Sequence, residues 1–376
     1  METPFAFGKI VADKHFTNRE GESERLMNNF LFGTNTILIS PRRWGKSSLV
    51  HHAATQVRKH HSGIRFIFID LFNVRNEAQF YQLLAKETLK AFSTKVDEVL
   101  EQSRRFLGRF IPKITFSPEP ENDFSLSFDW EEVKREPDEI LFLAERLSAG
   151  RNMKAVVCID EFQNIAFFND PLAFQKKLRA NWQHQQHVSF CLFGSKRNMM
   201  MEVFTSPSMP FYKFGDVVFL EKIRKEDWIT YLDEGFRQSG KSLEHGGSEL
   251  IAQLADNHPY YVQQLAQLAW LRTTNRCSKN IIEEAFECLV LQLSMLFHTA
   301  TDGLSTTQVN FLRALIDGVE HFSARHNLEK YQLGTSANIQ RIKKALLEKE
   351  VIDLAGSRVQ ILDPVYAWWL KSNYCK

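Results

Sequence analysis

Gly45, Lys46 and Ser47 stand together inside the stretch TILISPRRWGKSSLV at 36–50. In that order these residue types suit one task, which is holding a polyphosphate. Successive N–H groups of a tight turn wrap phosphate oxygens, and the first turn of a following helix adds positive potential. Gly45 falls where the backbone approaches a phosphate too closely for a side chain. Lys46 offers a charge to the terminal phosphates, and Ser47 offers a hydroxyl to Mg²⁺. The spacing matches G-x-x-x-x-G-K-[ST] except at its first position, where Ser40 replaces glycine. That position only begins the turn, so a small residue with ordinary backbone angles is acceptable there. Ser40, Pro41, Arg42, Arg43, Trp44, Gly45, Lys46, Ser47 and Ser48 are therefore the candidate nucleotide-binding loop.

A phosphate loop that does chemistry needs acids at the end of a second strand. AVVCIDEF at 155–162 supplies them. Asp160 can hold Mg²⁺ with Ser47, and Glu161 can orient or deprotonate an attacking water. Gly194 and Ser195 end a third apolar run, VSFCLFG at 188–194, and the Ser195 hydroxyl can bond the water or a γ-phosphate. Lys196 and Arg197 follow as candidate charge sensors; a solvated loop would explain them equally well. Lys46, Glu161 and Ser195 form the candidate catalytic set, and Ser47 and Asp160 the metal set. ATP and Mg²⁺ are the ligands expected.

These groups must be carried by elements that meet at one edge. Five short runs, at 36–40, 65–71, 155–162, 188–194 and 216–223, are nearly continuous in Val, Ile, Phe and Leu. Such runs read as strands covered on both faces. Helical patterns lie between them, at 47–61, 77–96, 137–149 and 172–185, and the alternation predicts a parallel α/β sheet. At 97–136 the rhythm breaks. Phe124, Leu126, Phe128 and Trp130 alternate with polar residues after a polar tip, which predicts a β-hairpin inserted on the core. After 223 the apolar strands stop, and helices are expected at 225–238, 248–256, 260–273 and 279–296. From 304 the order helix, helix, helix, hairpin is that of a winged helix-turn-helix. The expected division is 1–223 for the α/β core, 224–300 for a helical lid and 301–376 for the winged helix.

Composition sets outer limits. The chain has 376 residues, 44% apolar and 24% charged, with a net charge of +2. These values are ordinary for globular proteins and announce no global nucleic-acid field. Five scattered cysteines, with no C-x-x-C pair, suggest reduced thiols. No apolar run approaches the roughly 20 residues of a membrane helix. The opening METPFAFGKIVADKHF lacks the basic-then-apolar order of an export signal, so a cytoplasmic location away from membranes is expected.

The chain resembles the archaeal-type ATPases, AAA-type P-loop proteins within or near the STAND class, and the likeness extends over nearly its whole length. FTNREGESERL at 16–26 is similar to the family element F-x-G-R-E-x-E-x-x-x-L, with Asn18 in a glycine place. SPRRWGKSSL is similar to G-P-R-R-x-G-K-[ST]-S-L, IDEFQ at 159–163 to the family's acidic strand end, and GSKRNMM to its next strand end. DNHPYYVQQLA at 256–266 resembles a lid motif, and LDPVYAWWL closes the chain as family members do. The resemblance implies an ASCE-type core with a helical lid and a C-terminal winged helix. It also implies that Phe16 and Arg19 help to enclose adenine and that Pro259 and Tyr260 belong to the nucleotide-binding lid. PFYKFGD at 210–216 departs from P-[LF]-Y-G-R by lacking the arginine, and Lys cannot reproduce its planar fork. Slow turnover is the corresponding expectation.

At 337–349, Arg341, Lys343 and Lys344 lie on the helix that would read DNA, while Glu348 and Glu350 dilute their charge. Winged helices also contact proteins or their own chain, so these three residues are candidates for DNA or partner contact. Three functions remain open: an ATPase switch whose nucleotide state sets the lid and winged helix, a DNA-binding regulator that senses nucleotide with little turnover, and an ATP-dependent scaffold for a protein partner or for self-assembly.

Overall fold

The computed structural model describes residues 3–8, 19–93, 95–110, 113–116, 124–355 and 358–374. Two compact units emerge: Arg19–Glu221, and Lys222–Lys376 with the N-terminal residues 3–8.

The first unit is built on a five-stranded parallel sheet. Its strands are β1 (Thr36–Ile39), β2 (Ile64–Asp70), β5 (Lys154–Asp160), β6 (Val188–Gly194) and β7 (Asp216–Phe219), in the order β2-β5-β6-β1-β7. A hairpin, β3 (Lys113–Phe116) and β4 (Phe124–Ser127), comes between β2 and β5 in the chain. Every residue of β1 and β6 is buried, as central strands covered on both faces must be. Parallel neighbours need crossovers, supplied by helices Lys46–His60, Glu77–Phe92, Pro171–Trp182 and Arg197–Thr205. Trp182 from one of these stacks on Phe190 of β6 at 4.1 Å, fixing that helix to the sheet.

Register then decides what meets. Asp70 pairs with Asp160, Ile159 with Leu192, and Ile39 with both Gly194 and Phe219. The carboxyl ends of all five strands therefore finish in line, the edge where open α/β sheets bind ligands. In β4, Phe124 and Leu126 are buried and Ser125 and Ser127 exposed, the alternation the sequence shows. The polar tip lies outside the described residues. The single helix expected at 137–149 is two, Asp138–Leu141 and Leu143–Gly150, because Phe142 leaves helical geometry at ψ 0°.

The second unit is mainly helical. Helices Lys225–Gln238, Gly247–Leu254, Pro259–Arg272 and Lys279–Asp302 come first. The sequence pattern places no strand here, but a two-residue parallel pair, β8 (Ser242–Leu243) and β9 (Arg276–Cys277), ties two of the loops. Asp256 and Asn257 both adopt left-handed angles, which end one helix before Pro259 opens the next. Helix Thr306–Ile316 starts with a capping box between Ser305 and Gln308. Helices Arg325–Lys330 and Ser336–Glu348 follow, then the antiparallel pair β10 (Ile352–Ala355) and β11 (Arg358–Ile361), and a last helix, Pro364–Tyr374. The Trp369 indole donates to Ser294 Oγ at 3.2 Å, and Tyr261 donates to Asp363, so early and late helices of this unit share one core. Among the described residues no helix is long and apolar enough to cross a membrane.

Candidate functional site

The loop 40–45 leaves β1 and enters helix Lys46–His60. Its tight turn uses left-handed backbone at Arg43 (φ 63°) and Gly45 (φ 86°), and not at Ser40. Ser40 is buried and its hydroxyl donates to the Pro41 carbonyl at 3.1 Å. The missing first glycine is therefore accommodated without strain. Among the described residues, a Cβ built on Gly45 would meet nothing within 4 Å. Arg42 and Arg43 are exposed along the loop, and Trp44 and Ser48 are buried beneath it.

Arg19 pins this loop from behind. Its guanidinium donates to the Trp44 carbonyl at 3.1 Å and to the Glu221 carbonyl at 3.0 Å, and pairs with Glu22 at 3.0 Å. Burial lowers its pKa, and Glu22 offsets part of that. The side chain thus joins the loop to the segment after β7.

Five side chains converge across the strand ends. The Ser47 hydroxyl donates to Asp160 Oδ2 at 2.6 Å. The Lys46 ammonium lies 3.5 Å from Glu161 Oε1. Ser195 Oγ donates to Glu161 Oε2 at 2.8 Å, and the Ser195 N–H approaches the same oxygen at 3.4 Å. Asp160 also accepts from the Glu161 N–H at 2.8 Å. Lys46 and Ser195 are buried, and Glu161 is largely so.

The electrostatics separate the two acids. Burial pushes the Asp160 carboxyl up, against the opposing pull of Lys46 and the Ser47 hydrogen bond. Burial pushes Glu161 up as well, but Lys46 and the hydrogen bonds from Gln163 and Ser195 together outweigh it and hold it below the usual range. Glu161 is thus a carboxylate near neutral pH.

One participant is absent from the candidate set read in the sequence. Gln163, fully buried, donates its side-chain amide to Glu161 Oε2. Its signal was present in IDEFQ, a glutamine two residues beyond the acid, but nothing in a linear pattern says that the chain folds back there. The fold-back follows from Glu161 itself, whose left-handed backbone (φ 51°, ψ 39°) ends β5 and opens a 3-10 turn, Phe162–Phe167.

The other sequence candidates lie as follows. The Lys196 ammonium sits over the Phe167 ring at 5.2 Å, and the Arg197 guanidinium over Phe219 at 5.9 Å. Pro259 is the first residue of its helix in the second unit, and Tyr260 packs edge-on against Phe7 at 5.6 Å. Arg341 and Lys344 are exposed, Lys344 lying 3.9 Å from Glu348. The Lys343 stem is half-buried, with its ammonium 5.3 Å from the centre of the Phe322 ring. Phe16 lies outside the described residues.

The donor set fits a nucleotide and its cation. Ser and Asp oxygens are hard ligands of the kind Mg²⁺ takes, and here they already touch. The 3.5 Å contact of Lys46 with Glu161 is long for an ion pair and can be exchanged for a phosphate oxygen.

No family model and no curated protein matches the sequence. Solved structures do match. The Walker-type ATPase PABY2304 of Pyrococcus abyssi aligns with a TM-score of 0.66 at 18% identity, over 96% of this chain and 97% of that one. The ORC2 protein of Aeropyrum pernix in its ADPNP–ADP complexes aligns with a TM-score of 0.58 at 15% identity, over 99% and 100% of the two chains. At such identities the likeness is one of fold, and this chain shares the fold of these two structures.

Proposed function

We propose that the chain binds ATP with Mg²⁺ at the loop 40–48 and hydrolyses it slowly, as a switch whose nucleotide state governs its contacts with a protein partner or with further copies of itself. The observation that carries this reading is the convergence of Lys46, Ser47, Asp160, Glu161 and Ser195 at one edge of the sheet. Phosphoryl transfer asks a protein for positioning and charge neutralisation, and these residues are of the types that provide both.

In this mechanism the loop N–H groups and Lys46 bind the phosphates. As Lys46 turns to them, Glu161 loses its ammonium neighbour and becomes free to accept a proton from the attacking water. Ser195 holds Glu161 in place through this exchange. Ser47 and Asp160 would hold Mg²⁺, which supplies charge neutralisation at the phosphates when bound. The stretch at 210–216 lacks the arginine of the P-[LF]-Y-G-R pattern it resembles, and Lys213, the lysine within it, lies against Tyr212 at 5.3 Å, which supports slow turnover.

The experiment is a pair of variants. Lys46→Ala should abolish ATP binding, and Glu161→Gln should keep binding and lose turnover. Wild-type turnover in Glu161→Gln would remove the general-base assignment.

A second reading, DNA binding through a winged helix, draws on the three helices followed by β10 and β11, with Arg341 exposed on the third. Duplex affinity that falls steeply with salt and weakens in Arg341→Glu would support it. Absence of duplex binding at low salt would remove it.

A further inference from the structure

The two oxygens of Glu161 are not equivalent. Oε2 accepts from Ser195 Oγ at 2.8 Å, from the Gln163 amide, and weakly from the Ser195 N–H at 3.4 Å. Oε1 faces the Lys46 ammonium at 3.5 Å. One oxygen is saturated with donors and the other is held toward a group that phosphate can draw away.

Gln163 is placed for this at a visible cost. It is 1% exposed, and its own carbonyl oxygen has no hydrogen-bond partner among the described residues. A buried acceptor left unsatisfied is unfavourable, so the position of the amide is set by its donor end. Gly194, the last residue of β6, makes room for it. A Cβ there would fall 1.9 Å from Gln163 Oε1 and 2.9 Å from Met200 Sδ, so no larger residue fits while the amide keeps its place. The φ of Gly194 is not positive, and its role is therefore space and not backbone freedom.

We infer that Gln163 is a positioning residue, seated by Gly194, that anchors Glu161 Oε2 together with Ser195 and so leaves Oε1 as the oxygen that takes the proton from water. The inference rests on the reading of Glu161 as general base. Gln163 is enclosed by protein and acts on the reaction only through Glu161.

The test uses the full-length chain and steady-state ATP hydrolysis. Gln163→Met keeps the length and packing of the side chain and removes the donor. Gly194→Ala keeps every atom of Gln163 and displaces its amide. Both should lower kcat by about tenfold or more, the consequence of losing one hydrogen bond to a charged group, with KM for ATP changed by less than about twofold. The double variant should fall no further than either single one, because both act through one contact. A purely structural role would move KM, expression and melting together and would not produce this split.

Glu161→Gln, measured alongside, separates the two readings. If it turns over normally, the base assignment fails and the inference with it. If it is inactive while Gln163→Met and Gly194→Ala keep wild-type kcat, only the positioning role is overturned. Losses that multiply in the double variant would break the link between Gly194 and Gln163. Should Gln163→Met melt early, Gly194→Ala carries the same measurement, and unchanged kcat there overturns the inference. A wild-type chain without turnover overturns both readings.

Discussion

Replacing Arg19 with alanine separates two roles for one residue. The family resemblance makes Arg19 part of an adenine enclosure, whereas its guanidinium here is committed to two main-chain carbonyls, those of Trp44 and Glu221. The side chain is 4% exposed, so water cannot readily replace it. A buried acceptor that loses its donor costs about 1–3 kcal/mol, and of the two affected the Trp44 carbonyl is buried and the Glu221 carbonyl partly so. Against this, the variant no longer carries the desolvation of a buried cation, so a net loss of about 3 kcal/mol is reasonable. For a unit of this size each kcal/mol shifts Tm by roughly 2–4 °C, which gives a fall of about 6–12 °C. Arg19→Lys should recover only part of it, since an ammonium lacks the fork that spans two carbonyls. Thermal melting by circular dichroism and ATP titration by calorimetry would be run on the same preparations. The expected result is a lowered Tm with a modest fall in affinity, as the loop loses its tie. An unchanged Tm with ATP binding abolished would refute the reasoning and make Arg19 a ligand contact.

Other outcomes follow from the same geometry. Ser47→Ala should bind ATP equally in Mg²⁺ and in EDTA, whereas the wild-type chain should lose about tenfold or more in EDTA, because the proposed metal oxygens are those of Ser47 and Asp160; equal metal dependence in both would remove that assignment. Asp216 accepts from Arg25 and Asn29, and the Arg25 hydrogen bond is the larger cause of a carboxyl held below its ordinary value. A depressed folded pKa contributes stability above the unfolded value of about 3.9 and loses it as pH falls through the folded one. Urea midpoints compared at neutral pH and in the acid range should therefore converge for Asp216→Asn and wild type as pH falls; a gap independent of pH would contradict the pairing.

Much of this was legible in the chain because it was written in residue type. Central strands announce themselves when both faces are covered, as β1 and β6 do, and a glycine–lysine–serine triplet between strand and helix has few other uses. Ser40 was readable too, since it only begins the turn, whose left-handed residues are Arg43 and Gly45. What stayed hidden was contact between parts distant in sequence. The carbonyls bound by Arg19 lie 25 and 202 residues away, and no local pattern marks a carbonyl as needing a donor. The β8–β9 pair is too short to show a period of two. Phe142 divides a helix that periodicity alone would carry through.

The acidic pair itself shows why sequence adjacency is not site geometry. In a strand, consecutive side chains point to opposite faces, so an Asp-Glu pair continuing β5 would send one acid away from the loop. Asp160 keeps strand geometry and reaches Ser47. Glu161 leaves it, taking a left-handed conformation that costs a non-glycine residue about 1–2 kcal/mol. That turn swings its carboxylate to Lys46 and Ser195 and brings Gln163 back beneath it. Three hydrogen-bonding or ionic partners offset the strain of one backbone angle. The strained residue and its partners are then one unit: removing a partner weakens the hold on the backbone as well as on the side chain. For that reason changes at Ser195 or Gln163 should register in hydrogen exchange of the Phe162–Phe167 turn, and not in the Ser47–Asp160 contact, which stands on the unstrained side of the same peptide bond.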